Sequence, residues 1–209
     1  MTATPEPAAA SPRSLKALAS LIAQSPPGVK GGTRAILGKG PLHPALAFVG
    51  EQPGDVEDRQ GRPFVGPAGK LLDRALAQAG IDRDAVYVTN AVKHFKFEQR
   101  GKRRMHARPN AGEVKYYRWW LKKELDLVKP RLTVALGATA VLALAGRALP
   151  IGKNRGAADF EGRAGFITVH PSALLRIPDA DERERAFRAF VADLAAARKL
   201  SESSGKLAV

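Results

Sequence analysis

Four short apolar runs, set apart by helix-length segments, constrain this chain more than any other feature. Leu46-Ala-Phe-Val-Gly50, Val86-Tyr-Val-Thr89, Leu132-Thr-Val-Ala-Leu136 and Phe166-Ile-Thr-Val169 each read as a buried strand. Residues 67–80 carry Leu71, Leu72, Ala75, Leu76 and Ala79 on one helical face, with Pro67 near the start and Gly80 after the end. Residues 110–128 make a long helix closed by Lys129-Pro130, and residues 138–145 a shorter one. Residues 181–200 form a last helix that gathers Phe187, Phe190, Val191 and Leu194. Strands alternating with helices dictate a parallel sheet covered on both faces. The expected fold class is therefore α/β, in three layers αβα, around a central, mostly parallel four-stranded sheet.

No repeat or internal boundary interrupts this pattern, and 209 residues suit one compact domain. We expect that domain at residues 13–200, a mobile tail rich in Ala, Pro, Ser and Thr at 1–12, and a frayed end at 201–209. Residues 14–24 read as a short amphipathic helix, broken by Pro26-Pro27-Gly28. No apolar run approaches the ~20 residues of a membrane span, and the start lacks a basic segment followed by an apolar one. A cytoplasmic, nucleoid-associated bacterial protein without a membrane partner, and a monomer, is the expectation. There are no cysteines, so disulfides, thiolate zinc sites, a cysteine nucleophile and cysteine-held iron–sulfur clusters are all ruled out.

In an open α/β sheet, ligands bind beyond the carboxyl ends of the strands. Three of the four segments there begin with groups capable of chemistry. Gly50-Glu51-Gln52-Pro53-Gly54 makes a tight turn with Glu51, Gln52 and Asp55 in or beside it; alone, it reads equally well as a capped strand-to-helix turn. Phe64, between turn residues in Pro63-Phe-Val-Gly66, is either a plug or a stacking platform for a planar ligand. Asn90 ends the second strand; it either satisfies local backbone or presents a donor and an acceptor to a base edge. His170-Pro171-Ser172 follows the last strand, where the proline-fixed turn favours an aimed imidazole.

The net charge of +14 calls for a polyanionic partner, and it is concentrated. Residues 93–123 hold eleven Lys and Arg against Glu98 and Glu113. Within them, Gln99-Arg-Gly-Lys-Arg-Arg-Met-His106 reads as an exposed loop suited to phosphate contact. A merely solvated charge run is the bland alternative; the interleaved His94, Phe95, Phe97 and His106 argue against it.

Together these segments resemble the uracil-DNA glycosylase superfamily over roughly residues 34–195. Its first motif is matched by Gly50-Glu-Gln-Pro-Gly54 running on through Glu57-Asp58 to Pro63-Phe-Val-Gly66, its middle motif by Thr89-Asn-Ala-Val-Lys93, and its last by His170-Pro-Ser-Ala-Leu-Leu-Arg176. Gln52 with Lys102-Arg-Arg-Met-His106 resembles the UdgX branch, which is similar to the family 4 enzymes and carries a basic loop ending in histidine. Members of that branch become covalently attached to uracil-containing DNA through that histidine.

The resemblance implies a set of roles. Phe64 stacks on a flipped uracil, Asn90 pairs with its O4/N3 edge, and Gln52 and Asp55 help to hold it. His170 stabilises the anion developing on O2. His106 attacks C1′ with Glu51 orienting it and taking its proton. Lys102, Arg103, Arg104, Arg108, Ser172 and Arg176 contact DNA, single strands included. Uracil is the product and no cofactor is needed. The family 4 [4Fe–4S] cluster is expected to be absent. Pro26-Pro27 stands where a Cys-x-x-Cys would be, and Tyr117-Arg-Trp-Trp-Leu121 where relatives carry a further cysteine. Tyr117, Trp119 or Trp120 is expected to fill the vacated space. Two other readings stay open: a conventional multiple-turnover glycosylase of base-excision repair, and a noncatalytic nucleic-acid-binding protein.

Overall fold

The computed structural model describes residues 12–204, so the expected tail at 1–12 lies outside the described residues apart from Pro12, and residues 205–209 lie outside them too. In chain order the elements are α1 (Leu15–Ala23), β1 (Leu46–Gly50), α2 (Asp55–Gln60), α3 (Pro67–Gln78), β2 (Tyr87–Asn90), β3 (Phe97–Arg100) and β4 (Arg103–His106). They continue with α4 (Ala111–Val128), β5 (Leu132–Leu136), α5 (Ala138–Ala145), α6 (Ile151–Asn154), β6 (Gly156–Phe160), β7 (Arg163–Thr168), α7 (Pro171–Leu175) and α8 (Ala180–Ser204).

The central sheet runs β2-β1-β5-β7-β6, with the first four strands parallel and β6 antiparallel to β7. Side chains alternate across it, and each face builds its own core. Ala47, Val49 and Ala135 meet Leu18, Tyr117, Trp120 and Val141 of α1, α4 and α5. Leu46, Phe48 and Val134 meet Leu72, Leu76, Phe187 and Phe190 of α3 and α8. The α/β three-layer fold is thus the observed one, with five strands in place of the four expected. The extra strand, Gly156-Ala-Ala-Asp-Phe160, is a half-exposed edge without an apolar run, so periodicity had nothing to register.

Two further differences concern ends and loops. Helix α8 continues to Ser204, with Ser201 buried, so residues 201–204 are helical where fraying was expected. The basic segment at 99–106 is no loop. Strands β3 and β4 pair antiparallel around a two-residue turn at Gly101 and Lys102, where Gly101 takes φ +57°. The register pairs Phe97 with His106 and Gln99 with Arg104, so these four share one face. On that face Phe97 and Arg104 are half-buried, while Gln99 and His106 stay exposed, as do all the residues of the other face.

Candidate active site

The carboxyl ends of β1, β2, β5 and β7 open into one cavity of about 760 Å³. Glu51, Phe64, Asn90, His106, Arg108 and His170 all line it. With Gln52, Asp55, Ser172 and Arg176, which line it too, ten sequence-predicted residues from five segments are thereby brought together.

The floor is made of close approaches. A Cβ on Gly50 would come within 2.5 Å of Asn90 Oδ1 and 2.6 Å of the Phe64 ring, so only glycine lets both converge. Asn90 is 3% exposed, and no described residue takes up its side-chain amide. Its side chain borders the cavity, where water or a ligand can meet the amide. Phe64 holds the left-handed conformation at φ +55°, a strained state for an aromatic residue. The strain is held in place by Glu57, whose carboxylate accepts from the backbone N–H of Val65 (3.2 Å), Gly66 (2.8 Å) and Gly54 (3.2 Å). Glu57 was visible in the sequence only as part of a motif. Its function as anchor of the Phe64 turn requires the fold of the turn to be known.

His170 caps α7, and its Nδ1 accepts from the N–H of Ser172 (3.1 Å) with Ser172 Oγ 2.8 Å away. That bond assigns the proton to Nε2 in the neutral ring. Burial pushes the His170 pKa down to about 4, with Arg176 and His106 adding to the effect and Glu51 opposing it. A neutral Nε2–H donor therefore persists at ordinary pH. Arg176 lies 3.3 Å from Ser172 Oγ and also lines the cavity.

Glu51 carries the other half of the site. Thr139 Oγ1 donates to its Oε2 at 2.7 Å, and His106 Nε2 lies 3.2 Å from Oε1. Arg108 Nε stands 3.9 Å from Oε2. Burial raises the carboxyl's pKa, but the bonds from His106 and Thr139 and the charges of His106 and His170 outweigh it, so the net shift is downward. Glu51 is a carboxylate held against an imidazole. Thr139 was not foreseen; it lies on the first turn of α5, in a run that reads simply as an apolar helix.

Three expected ligand contacts are committed elsewhere. The Gln52 amide donates to the carbonyls of Lys96 (3.2 Å) and Ala107 (3.1 Å) and accepts from the N–H of Lys96 (3.0 Å). It clasps both strands at the base of the hairpin, which leaves its amide unavailable to a base in this arrangement. Asp55 pairs with Arg104 Nε (2.6 Å) and with Arg59 (3.0 Å) rather than facing a ligand alone. Arg104 also pairs with buried Asp58 at 2.5 Å and lies over the rings of Phe95 and Phe97. It fastens the hairpin to α2, and the interleaved aromatics serve that packing. Lys102 and Arg103 at the hairpin tip are exposed, as is Arg108. Lys93, counted with the basic run, is fully buried against Glu124.

Residues 37–195 match the uracil DNA glycosylase superfamily. The chain belongs to that superfamily. It is 40% identical over 147 residues to the type-4 uracil-DNA glycosylase of Thermotoga maritima, covering 69% of this chain and 73% of that one. The type-4 uracil-DNA glycosylase of Pyrobaculum aerophilum is likewise 40% identical, over 154 residues, with 69% and 74% covered. A DNA polymerase of Bacillus phage SP01 is 32% identical over 143 residues, which span 68% of this chain and 15% of the polymerase.

A cysteine-held cluster does not fit this member of the superfamily. The segment at 26–28 is instead fastened to α4 by phenols: Tyr116 Oη donates to the Pro26 carbonyl (2.6 Å), and the Gly28 N–H donates to Tyr117 Oη (2.8 Å). Tyr117 Oη and His94 Nδ1 are hydrogen-bonded in turn at 2.7 Å. A Cβ on Gly28 would meet the Tyr116 ring at 2.2 Å. Tyr117 packs this junction, Trp120 lies in the core, and Trp119 is half-buried. Among the described residues no group of His, Asp and Glu has the make-up of a metal site, and no helix is long and apolar enough to cross a membrane.

Proposed function

We propose that this protein is a uracil-DNA glycosylase that excises uracil once and remains bonded through His106 to C1′ of the abasic sugar. The observation that carries the reading is the imidazole of His106 at the cavity mouth, paired at 3.2 Å with the carboxylate of Glu51.

Uracil stacked in a duplex is inaccessible, so the base is flipped out or met in a single strand. Phe64 offers the face on which it stacks, and the uncommitted amide of Asn90 meets its O4/N3 edge. The C1′–N1 bond breaks with its electron pair leaving on uracil. The charge gathers on O2, where the Nε2–H of His170 donates to it; such aimed donors typically contribute a few kcal/mol to the barrier's reduction. The sugar becomes an oxocarbenium ion. An imidazole nitrogen of His106 then bonds to C1′, and Glu51 takes the proton that the ring gives up. A carbon–nitrogen bond to an uncharged ring has no hydrolytic exit, so one protein is consumed per uracil.

A second reading is favoured by the names of the type-4 relatives. In it the same cavity serves a multiple-turnover enzyme, and His106 only contacts DNA. Mixing the protein with a limiting and then an excess amount of uracil-containing oligonucleotide separates the two. Self-trapping predicts uracil release that stops at about one equivalent, together with a protein–DNA band that survives a hot denaturing gel. Release that continues for many equivalents with no such band overturns the self-trapping reading and leaves the glycosylase. No release at all overturns both.

A further inference from the structure

Lys93 and Glu124 are both fully buried, and the chemistry described so far uses neither. Glu124, in the middle of α4, is saturated: its Oε1 accepts from the Gly38 N–H (2.5 Å) and Tyr87 Oη (2.9 Å), and its Oε2 from Thr89 Oγ1 (2.9 Å) and the Lys93 ammonium. The ammonium also donates to Thr89 Oγ1 (2.9 Å) and to the backbone carbonyl of Asn90 (2.6 Å).

A buried ion pair adds little net stability over an apolar pair of equal volume, because both ions lose their hydration. Its position is what distinguishes this one. Asn90 is the last residue of β2, and its register partner is Gly50, the last residue of β1. The chain then turns back, and the N–H groups of Ala91 and Val92 donate to the carbonyls of Gly50 (2.9 Å) and Glu51 (3.0 Å). The Lys93 ammonium closes that turn from inside by holding the Asn90 carbonyl. Strand alternation sends Thr89 toward α4 and Asn90 toward the cavity, so the network grips the backbone of Asn90 from the face opposite its amide.

We infer that Lys93 and Glu124 are a positioning pair, which fixes the Asn90 amide at the edge of the bound base by locking the turn that carries it. The inference rests on the reading of Asn90 as the uracil-facing side chain. The pair touches neither base nor sugar and acts only through Asn90.

The test is a coupling measurement. Lys93→Met with Glu124→Gln removes both charges while keeping volume and the acceptor for Tyr87 and Gly38. With protein in excess over a uracil oligonucleotide, the rate of uracil release should fall about tenfold or more, while affinity for the same oligonucleotide bearing thymine changes less than about twofold. The same two substitutions placed in an Asn90→Ala protein should change its already slow rate less than about twofold. Equal slowing in both backgrounds, as a general loosening of the domain would give, overturns the inference. A wild-type rate for the Lys93 and Glu124 double variant beside a slow Asn90→Ala overturns the inference alone. A wild-type rate for Asn90→Ala overturns it together with the pocket reading. Should the double variant fail to fold, Thr89→Val removes one of the ammonium's three acceptors. It should slow release about threefold in the wild-type background and not in Asn90→Ala; equal slowing in both again overturns the proposal.

Discussion

The floor of the cavity and the hairpin at its mouth are built in opposite ways. Gly50, Asn90 and His170 sit at the ends of strands or on the turn that follows, with the two hydrophobic cores beneath them. Asn90 packs closely over Gly50, and His170 is held by the N–H of Ser172. His106 ends a two-stranded ribbon outside the central sheet. Side-chain tethers, Gln52 to its base and Arg104 to Asp55 and Asp58, fasten that ribbon to the domain. In the proposed mechanism, base recognition and leaving-group stabilisation therefore belong to the scaffold, and the nucleophile belongs to an appendage. Groups mounted on separate supports can be lost separately.

The sharpest way to break the comparison is to empty the appendage. In His106→Ser the heat-stable adduct should vanish completely, while uracil release continues over repeated turnovers as water reaches C1′ through the space left by the ring. An adduct that persists puts the nucleophile elsewhere. Loss of both adduct and release would show that the hairpin takes part in bond cleavage, and the separation drawn above fails. Striking the floor should do the opposite. His170→Ala removes the donor proposed for O2 and should slow uracil release and adduct formation together by roughly 100- to 1,000-fold. A variant that slows only one of the two shows that the steps are not consecutive.

Arg104 tests the fastening itself. Its removal strands Asp58, which is 6% exposed, without its counter-ion, and breaking such a pair typically costs about 3–5 kcal/mol where burial is complete. Because Arg104 is itself partly solvated, the cost here is smaller. Arg104→Ala should slow adduct formation about tenfold while the salt dependence of DNA binding stays as it was. A phosphate-binding Arg104 predicts the reverse, and the measured slope decides. Lys102 and Arg103 carry the complementary test. Replacing both by Ala should flatten the log–log salt slope for single-stranded DNA by about 1.4, at ~0.7 per phosphate contact, and leave single-turnover chemistry near wild type once DNA is saturating. An unchanged slope moves the footprint off the hairpin tip.

The same contrast explains what could be read from the chain. The central strands were legible because burial on both faces writes a continuous apolar run, and the strand-end rule then pointed to Glu51, Asn90 and His170 without knowledge of any contact. The hairpin was illegible as structure. Its strands are written almost wholly in charged and polar residues, most of them exposed, and only Phe97 signals packing. Side chains that act on other side chains were illegible too. Arg104 and Lys93 look like members of one basic run, yet one is clasped by two aspartates and the other lies in the core against Glu124. Gln52 looks like a ligand contact until the hairpin it holds is seen. What composition conceals in each case is the partner, and partners are set by topology.

The smallest effect concerns the histidines of the scaffold. Burial pushes His170 and His94 down to about 4 each, Asp58 partly opposing the shift at His94. In the unfolded chain both titrate near 6.5. Between those values the unfolded state binds protons that the folded state refuses, so acid favours unfolding throughout that window. The stability that neutral burial confers is complete above about pH 6.5, falls as the pH is lowered, and stops falling from this cause near pH 4. Glu51, whose carboxyl is lowered from its ordinary value, begins to contribute only below that value, so the upper part of the window belongs to the two histidines. Calorimetric Tm should thus decline between pH 6.5 and 4.5, while the donor role proposed for His170 should not be lost through protonation of that ring until near pH 4. His94→Gln keeps an acceptor for Tyr117 but cannot titrate, and it lies outside the cavity; it should remove about half of the decline and none of the activity. A Tm that stays flat over this range in the wild type would mean that both rings take up protons in the folded state, and with that the fixed Nε2–H donor assigned to His170 would have to be given up.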